Sequence, residues 1–452
     1  MSAHSRSLSD HLGRFVAETA FEGLPPPVVE KVKLRILDLL AASCSGVRAN
    51  NHIPLLRLLP GDGDLVIWGT NERRSLRDAT LINSAVAHST YVEDGSRYTG
   101  GHPSSALIPA ALNVAISRRA DGRALIAAIA AGYEVFLRLG RAIYPSTVVR
   151  GFQSTAILAA PASAAAASSL LQLSETGAAH AISIACSQGA GLKEALKSAN
   201  SQPLQVGRSS EGGLLAAMYA AQGAQGSPRA LENGFLKAYA ENADHGAIAP
   251  GLGSRWSIDE TYIKQYGGCR GNHAAVDAVA EILSRHAIDY PAIEHIDIRV
   301  DTVTLAAAIE PPLNAEQAQF SIAFSVAVKI IKGDVLPNRF SSAALADPSI
   351  KALMRRIRVA ADPALDADYP RHRPAIATLF LKDGRRITHR LDIAKGEPES
   401  PLTPDEIARK FEILAAPIFG ASASSISEFV LSLESAKSME PLNRLLAGTN
   451  VV

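Results

Sequence analysis

Aromatic residues are scarce in this chain, at 5% of 452 positions, and cysteines are scarcer still, at three. Cys44, Cys186 and Cys269 lie far apart, and none forms a Cys-x-x-Cys pair. That excludes a disulfide framework and a zinc ribbon, and it fits a reduced, cytoplasmic compartment. A charge excess is also missing: 45 basic and 44 acidic residues leave a formal net charge of +1. No electrostatic footprint for nucleic acid or an anionic membrane follows from that balance. The twelve histidines form no His-x-x-x-His or HExxH arrangement, and no acidic calcium loop occurs, so no metal site is expected. No GxxxxGK[ST] loop is present, and Gly100-Gly101, Gly212-Gly213 and Gly267-Gly268 follow no dinucleotide fingerprint, so no nucleotide cofactor is expected either. A Gly-x-Ser-x-Gly elbow is absent too. The least polar run, TAILAAPASAAAASSLLQL, is interrupted by Pro161 and serines. It falls short of the about 20 apolar residues a membrane span needs and reads as a buried helix. The N-terminal MSAHSRSLSDHLGRFVAE lacks an apolar h-region, so no secretory signal is expected.

What the chain does have is alanine and helical patterning. It is 47% hydrophobic and 20% charged, enough to bury a large core. Residues 8–250 read as successive helices punctuated by Gly and Pro. In PPPVVEKVKLRILDLLAASCSG, prolines lead in, Val32, Leu34, Ile36 and Leu39 form an apolar face, and Gly46 is expected just past the end. LRDATLINSAVAHSTYVED, DGRALIAAIAAGYEVFLRLGRAI and SETGAAHAISIACSQ follow the same style. Near residue 258 the pattern changes. IEHIDIRVD alternates like a half-buried strand, IRVAAD follows, and AIATLFLKDGRRITHRLDI carries an Asp383-Gly384 hairpin turn. HAAVDAVAEILSRH and AEQAQFSIAFSVAVKIIKG are expected as the helices between them. The fold class is therefore mainly α with a smaller α+β domain. A helical domain over 1–257 is completed by 399–452, and the α+β domain spans 258–398.

Four polar clusters interrupt this pattern. VEDGSRYTGGHPSSALIPAALNVAI sets Glu93, Asp94, Arg97 and His102 on a glycine-rich loop before a helix marked by Leu107, Ile108, Ala111 and Val114. It reads either as a binding loop or as an acidic surface loop whose histidine satisfies a helix end. The others are YPSTVVRGFQST, SANSQPLQVGRSSEGG and IKQYGGCRGNH, which carries Lys264, Tyr266, Arg270 and His273. Desolvated lysine becomes a usable base, although Lys264 also reads as a solvated lysine at a domain boundary. Arg150, Arg208 and Arg270 each adjoin a glycine, where backbone can approach a ligand and a guanidinium can grip a carboxylate. Each alone reads as a surface charge; together they point to a site for a small polycarboxylate.

These clusters, in this order, resemble the MmgE/PrpD family, which includes 2-methylcitrate dehydratase, cis-aconitate decarboxylase and iminodisuccinate epimerase. AHSTYVEDG…GGHPSSALIPAAL, VRGFQSTAILAAPASAAAA, QPLQVGRSSEGGLLAAMYAAQG, YIKQYGGCRGNHAAVDAV and AEQAQFSIAFSVAV carry the resemblance along nearly the whole chain. It implies a helical domain built from both chain ends, an α+β lid, a site between them, a homodimer, and cofactor-free chemistry on small di- or tricarboxylates. It also implies that His102 is the histidine of the acid-rich active-site segment and Lys264 the family lysine.

The departures shape the functional reading. Tyr91 stands at the first acid of the family's Asp-x-Asp-Asp-Thr run and Gly95 at its threonine, while Glu93 and Asp94 keep the acid pair. Gln153 replaces the histidine of Gly-Phe-His, Gln202 and Gln205 replace a lysine and a histidine, and Phe324 replaces a tyrosine. A dehydratase needs a positioned acid beside its base, and several proton carriers are gone. The expectation is therefore an epimerase resembling iminodisuccinate epimerase. Lys264 would remove the proton next to a carboxylate, with Tyr144 or His102 as the opposed carrier. Arg150, Arg208 and Arg270 would hold the carboxylates with Gln153, Gln202, Ser209, Tyr91 and Asp94. A lyase of the same family and a non-catalytic polycarboxylate-binding homologue are the alternatives.

Overall fold

The computed structural model describes residues 6–197 and 201–448. By internal contacts the chain divides into two units. The first draws on the chain up to Ser89, Glu93–Thr261, and the chain from Thr403 onward; the second comprises Thr90–Val92 and Tyr262–Leu402.

The first unit is a helical assembly. Its central members are α1 (Pro26–Arg48), α2 (Leu76–His88), α3 (Pro103–Ser117), α4 (Gly122–Ile143), α5 (Ser154–Leu170) and α6 (Ser201–Ala221). Proline opens α1 and α3, where its fixed φ suits the first turn and its missing N–H costs nothing. Asp121 caps α4 by accepting the Ala124 amide. The alanine-rich α5 is buried almost end to end and packs on α3, α4 and α6, as its apolar composition leads one to expect.

Small residues let these helices approach closely. A Cβ on Gly207 would sit 2.4 Å from the Leu81 carbonyl oxygen, and one on Gly213 would sit 2.1 Å from that of Ala160. The glycine beside Arg208 thus serves packing of α6 on α2, not access for a ligand. Gly46 corrects a second expectation: it lies inside α1, which runs on to Arg48. It is glycine because a Cβ there would meet the Val86 carbonyl oxygen of α2 at 2.3 Å.

In the second unit, four strands run in the order β2-β1-β3-β4: β1 Ile293–Val300, β2 Ile357–Ala361, β3 Ala375–Leu381 and β4 Arg386–Leu391. β2 pairs parallel to β1; the other pairs are antiparallel. The β3–β4 hairpin turns through Gly384 at φ 88°, the left-handed value that favours glycine. Helices α7 (His273–His286) and α8 (Ile322–Lys332) share a core with the sheet that includes Val279, Ile282, Ile296, Ile298, Phe324 and Leu379. The expected single helix over AEQAQFSIAFSVAVKIIKG is broken. Ser321 caps α8 by accepting the Phe324 amide, and Glu310 accepts both the Ser321 hydroxyl and the Ala323 amide. Ser321 offers the backbone a cap in place of a continued helix.

The chain returns to the first unit through α9 (Pro404–Phe419), which opens with a Thr403/Glu406 capping box. It packs on α1, and Lys410 reaches the fully buried Asp38 at 2.5 Å.

Candidate active site

In the first unit the loop from Glu93 to Gly101 is not a solvated acidic loop: Glu93 and Asp94 are both 0% exposed. Buried carboxylates need partners, and each has them. The Asp94 Oδ1 accepts the Ser104 amide at 3.1 Å in the first turn of α3, and Oδ2 accepts the Tyr133 hydroxyl at 2.8 Å. Arg35 Nε stands 3.8 Å from Oδ2. Burial nonetheless pushes the Asp94 carboxyl up to about 6, against the pull of Arg35 and its hydrogen-bond donors. Asp94, not His102, caps α3; the His102 side chain makes no cap bond.

His102 is turned instead toward the loop. Its Nδ1 lies 2.6 Å from the Asp94 carbonyl oxygen and 3.8 Å from Glu93 Oε1, both acceptors. The Nδ1 therefore carries a proton, and Nε2 is the nitrogen that gains or loses one. The side chain is 17% exposed, against 0% for Glu93. Its amide donates to Thr155 Oγ1 at 3.1 Å, which brings the N-terminus of α5 beside that of α3.

His88, at the end of α2, completes the cluster. Its Nδ1 lies 2.6 Å from Glu93 Oε1 and its Nε2 2.8 Å from Gln202 Nε2, and it is fully buried. The His88 and His102 rings meet edge to face, centroids 5.4 Å apart. Sequence reasoning singled out Gln202 but not His88. The available signal was a histidine five residues before the acid pair, on the last turn of a helix.

The remaining residues of this unit divide. Tyr144 lies against the same loop: a Cβ on Gly100 would meet its ring at 2.9 Å. Gln153 caps α5 by accepting the Ala156 amide. Ser209 is buried and bonded to the Ala190 amide and carbonyl. Arg208 is 62% exposed and paired with Glu211, which also holds Arg77. Arg150 is exposed, with its guanidinium over the Phe152 ring. The structure does not bring these two arginines to the His102 cluster. The polar segment that contains Gln202 begins at residues 198–200, which lie outside the described residues.

In the second unit Lys264 is not a solvated lysine. It is 2% exposed and donates to the Tyr91 carbonyl oxygen at 2.6 Å. Tyr91 has φ 51°, a left-handed conformation that costs a residue with a bulky side chain, and its ring packs edge to face on Phe320. Arg270 Nε donates to Glu397, and its guanidinium lies over the Tyr262 ring; both charged side chains are less than a tenth exposed. Tyr266 donates to Asp277 at 2.6 Å and stacks edge to face on His273, and burial pushes the Asp277 carboxyl up.

Among the described residues, no group of three or more His, Cys, Asp and Glu is placed to hold a metal ion, and no helix is long and apolar enough to cross a membrane.

Comparison with known proteins finds similarity over nearly the whole chain. The chain is 25% identical to a cis-aconitate decarboxylase of Aspergillus terreus, over 97% of this chain and 96% of that protein. It is 26% identical to the cis-aconitate decarboxylase of Homo sapiens over 93% and 90%, and 25% identical to that of Mus musculus over 99% and 94%. The MmgE/PrpD N-terminal domain matches residues 10–247 and the MmgE/PrpD C-terminal domain residues 266–435, so the chain belongs to the MmgE/PrpD family.

Proposed function

We propose that this protein is a cofactor-independent lyase acting on a small di- or tricarboxylate, with His102 as its proton carrier. The observation that supports this most is the fixed His102 ring: Nδ1 is committed to the Asp94 carbonyl, so protons move at Nε2. In a decarboxylation the carbon–carbon bond to the leaving carboxylate breaks, and its electron pair stays on carbon. The proton then comes from the imidazolium at Nε2, and carbon dioxide departs. One well-placed proton carrier suffices. The names of the relatives support the lyase over the epimerase that the sequence departures favour.

Arg270 is the buried member of the three arginines and the one we assign to a carboxylate. Its bond to Glu397 uses one of five guanidinium N–H groups. We assign Lys264 the role of base wherever the substrate must first lose a carbon-bound proton. A homodimer belongs to the same proposal, and sedimentation velocity tests it.

Epimerisation is the second reading, favoured by the neutral amides Gln153 and Gln202 where the family carries proton carriers. One experiment separates them. Single enantiomers and unsaturated members of a di- and tricarboxylate panel are incubated with the enzyme in deuterium oxide. Release of carbon dioxide, or a product with a gained or lost double bond, supports the lyase. Loss of optical activity with deuterium uptake, and neither of those products, hands the decision to the epimerase. Binding without any turnover across the panel leaves the non-catalytic homologue.

A further inference from the structure

We propose that His88 is a positioning residue that acts through Glu93 to hold His102 in its proton-donating state. The inference rests on the reading of His102 as the proton carrier. Its starting point is a chain of four side chains, Gln202–His88–Glu93–His102, that crosses from α6 through α2 and the loop to the head of α3.

The direction of each bond follows from chemistry. The amide nitrogen of Gln202 can only donate, so His88 Nε2 accepts and its proton sits on Nδ1. That N–H points at Glu93 Oε1 at 2.6 Å, with Ser105 Oγ 3.2 Å away as a second neighbour. Ser105 in turn donates to the His102 carbonyl, tying the two histidines to one turn of α3. Glu93 is fully buried, and a carboxyl sealed from water tends to keep its proton unless donors favour its charged form. His88 supplies such a donor. The charged Glu93 then stands 3.8 Å from His102 Nδ1, where a negative charge favours the imidazolium. Gln202 fixes the tautomer of His88, which explains a neutral amide at this position.

Among the described residues, other charged groups surround this chain, and the buried Arg97 of the same loop is one of them. Arg35 of α1 lies on the far carboxylate oxygen of Asp94. Asp38, one turn on, is paired with Lys410 of α9. Tyr133 of α4 is held by Asp94. Asp94 meets His102 through its backbone carbonyl.

The test reads the His102 ring directly. Nitrogen-15 NMR follows its titration in the full-length protein, alongside the pH profile of kcat/KM on the substrate found by the panel. Glu93→Gln, close in shape, is expected to lower the His102 midpoint by about one pH unit, the low end for loss of an opposite charge at this distance. The matching limb of the pH profile moves with it, so kcat/KM above that midpoint falls about tenfold. His88→Leu is expected to do the same, and His88→Asn, which restores an N–H near the Nδ1 position, to recover most of the loss. Should His88→Leu fail to fold, Gln202→Leu serves, with a smaller shift in the same direction. An unmoved His102 midpoint in Glu93→Gln, or in folded His88→Leu, overturns the proposal. If the midpoint moves as stated but His102→Gln keeps full activity, the relay stands and the proton-carrier reading falls.

Discussion

The Tyr133 hydroxyl donates to Asp94 Oδ2 at 2.8 Å, and both side chains are sealed from solvent. Burial raises the titration of both groups, and the Asp94 carboxyl reaches about 6 from an ordinary value of 3.8. An acid raised in the folded state stabilises the fold most when protonated. The contribution is complete below about pH 4 and is lost as the pH rises through 6. Two pH units between the folded and unfolded titrations set an upper bound of roughly 3 kcal/mol. Asp94→Asn keeps an oxygen for the Ser104 amide and removes the titration. Urea unfolding at several values between pH 4 and 7.5 should show the variant gaining on the wild type as pH rises. Parallel pH curves would remove burial of Asp94 as a determinant of stability.

Lys264 and Tyr91 give a second prediction. A buried ammonium on a carbonyl is a charged hydrogen bond, and such bonds contribute about 1.5–3 kcal/mol. Lys264→Met should cost part of that, offset by its apolar stem. If Lys264 is also the base, kcat/KM falls by a factor of about 100 or more, the scale of general base catalysis. A variant that loses stability but keeps kcat/KM within a few-fold makes Lys264 a holder of the Tyr91 turn and nothing more.

Much of the fold was legible along the chain, because helices and strands announce themselves by period and punctuation. The helix after Pro103, the hairpin at Asp383-Gly384 and α7 over His273–His286 follow that grammar. Gly46 did not: nothing local distinguishes a glycine ending a helix from one that admits the Val86 carbonyl of a helix some 40 positions on. The acid loop shows the same limit. Glu93 and Asp94 look solvated because the groups that seal them, Arg35, His88, Tyr133 and Gln202, come from four separate helices. Arg35 and Asp38 within the apolar run KLRILDLL, like Glu134 and Arg138 within YEVFLRL, were sequence hints that charges meet in this core.

Close helix contact supplies a third prediction. Gly207→Ala would place a methyl group 2.4 Å from the Leu81 carbonyl oxygen, so α6 must move off α2. Overpacking of this kind costs about 1–3 kcal/mol. Because Gln202 reaches His88 from the same helix, the shift should also weaken that bond. Thermal melts should show a lower Tm for Gly207→Ala, whereas Gly234→Ala, with open space around its Cβ, should change little. Equal melting temperatures would remove the packing argument for α6.

The arginines give the last prediction, because burial separates them. The Arg208–Glu211 pair has its arginine 62% exposed, and such pairs contribute at most about 1 kcal/mol. Arg150 is exposed as well. Arg270 is enclosed with Glu397 and the Tyr262 ring, an environment that suits the flat, delocalised guanidinium and not a compact ammonium. On the substrate that the panel identifies, Arg270→Lys should raise KM tenfold or more, since one lost charged hydrogen bond is worth about 1.5–3 kcal/mol. Arg208→Lys and Arg150→Lys should leave KM within about twofold, in keeping with the small effect of exposed charges. A raised KM for either exposed variant, with Arg270→Lys unaffected, would place the carboxylate-gripping cation on the first unit instead.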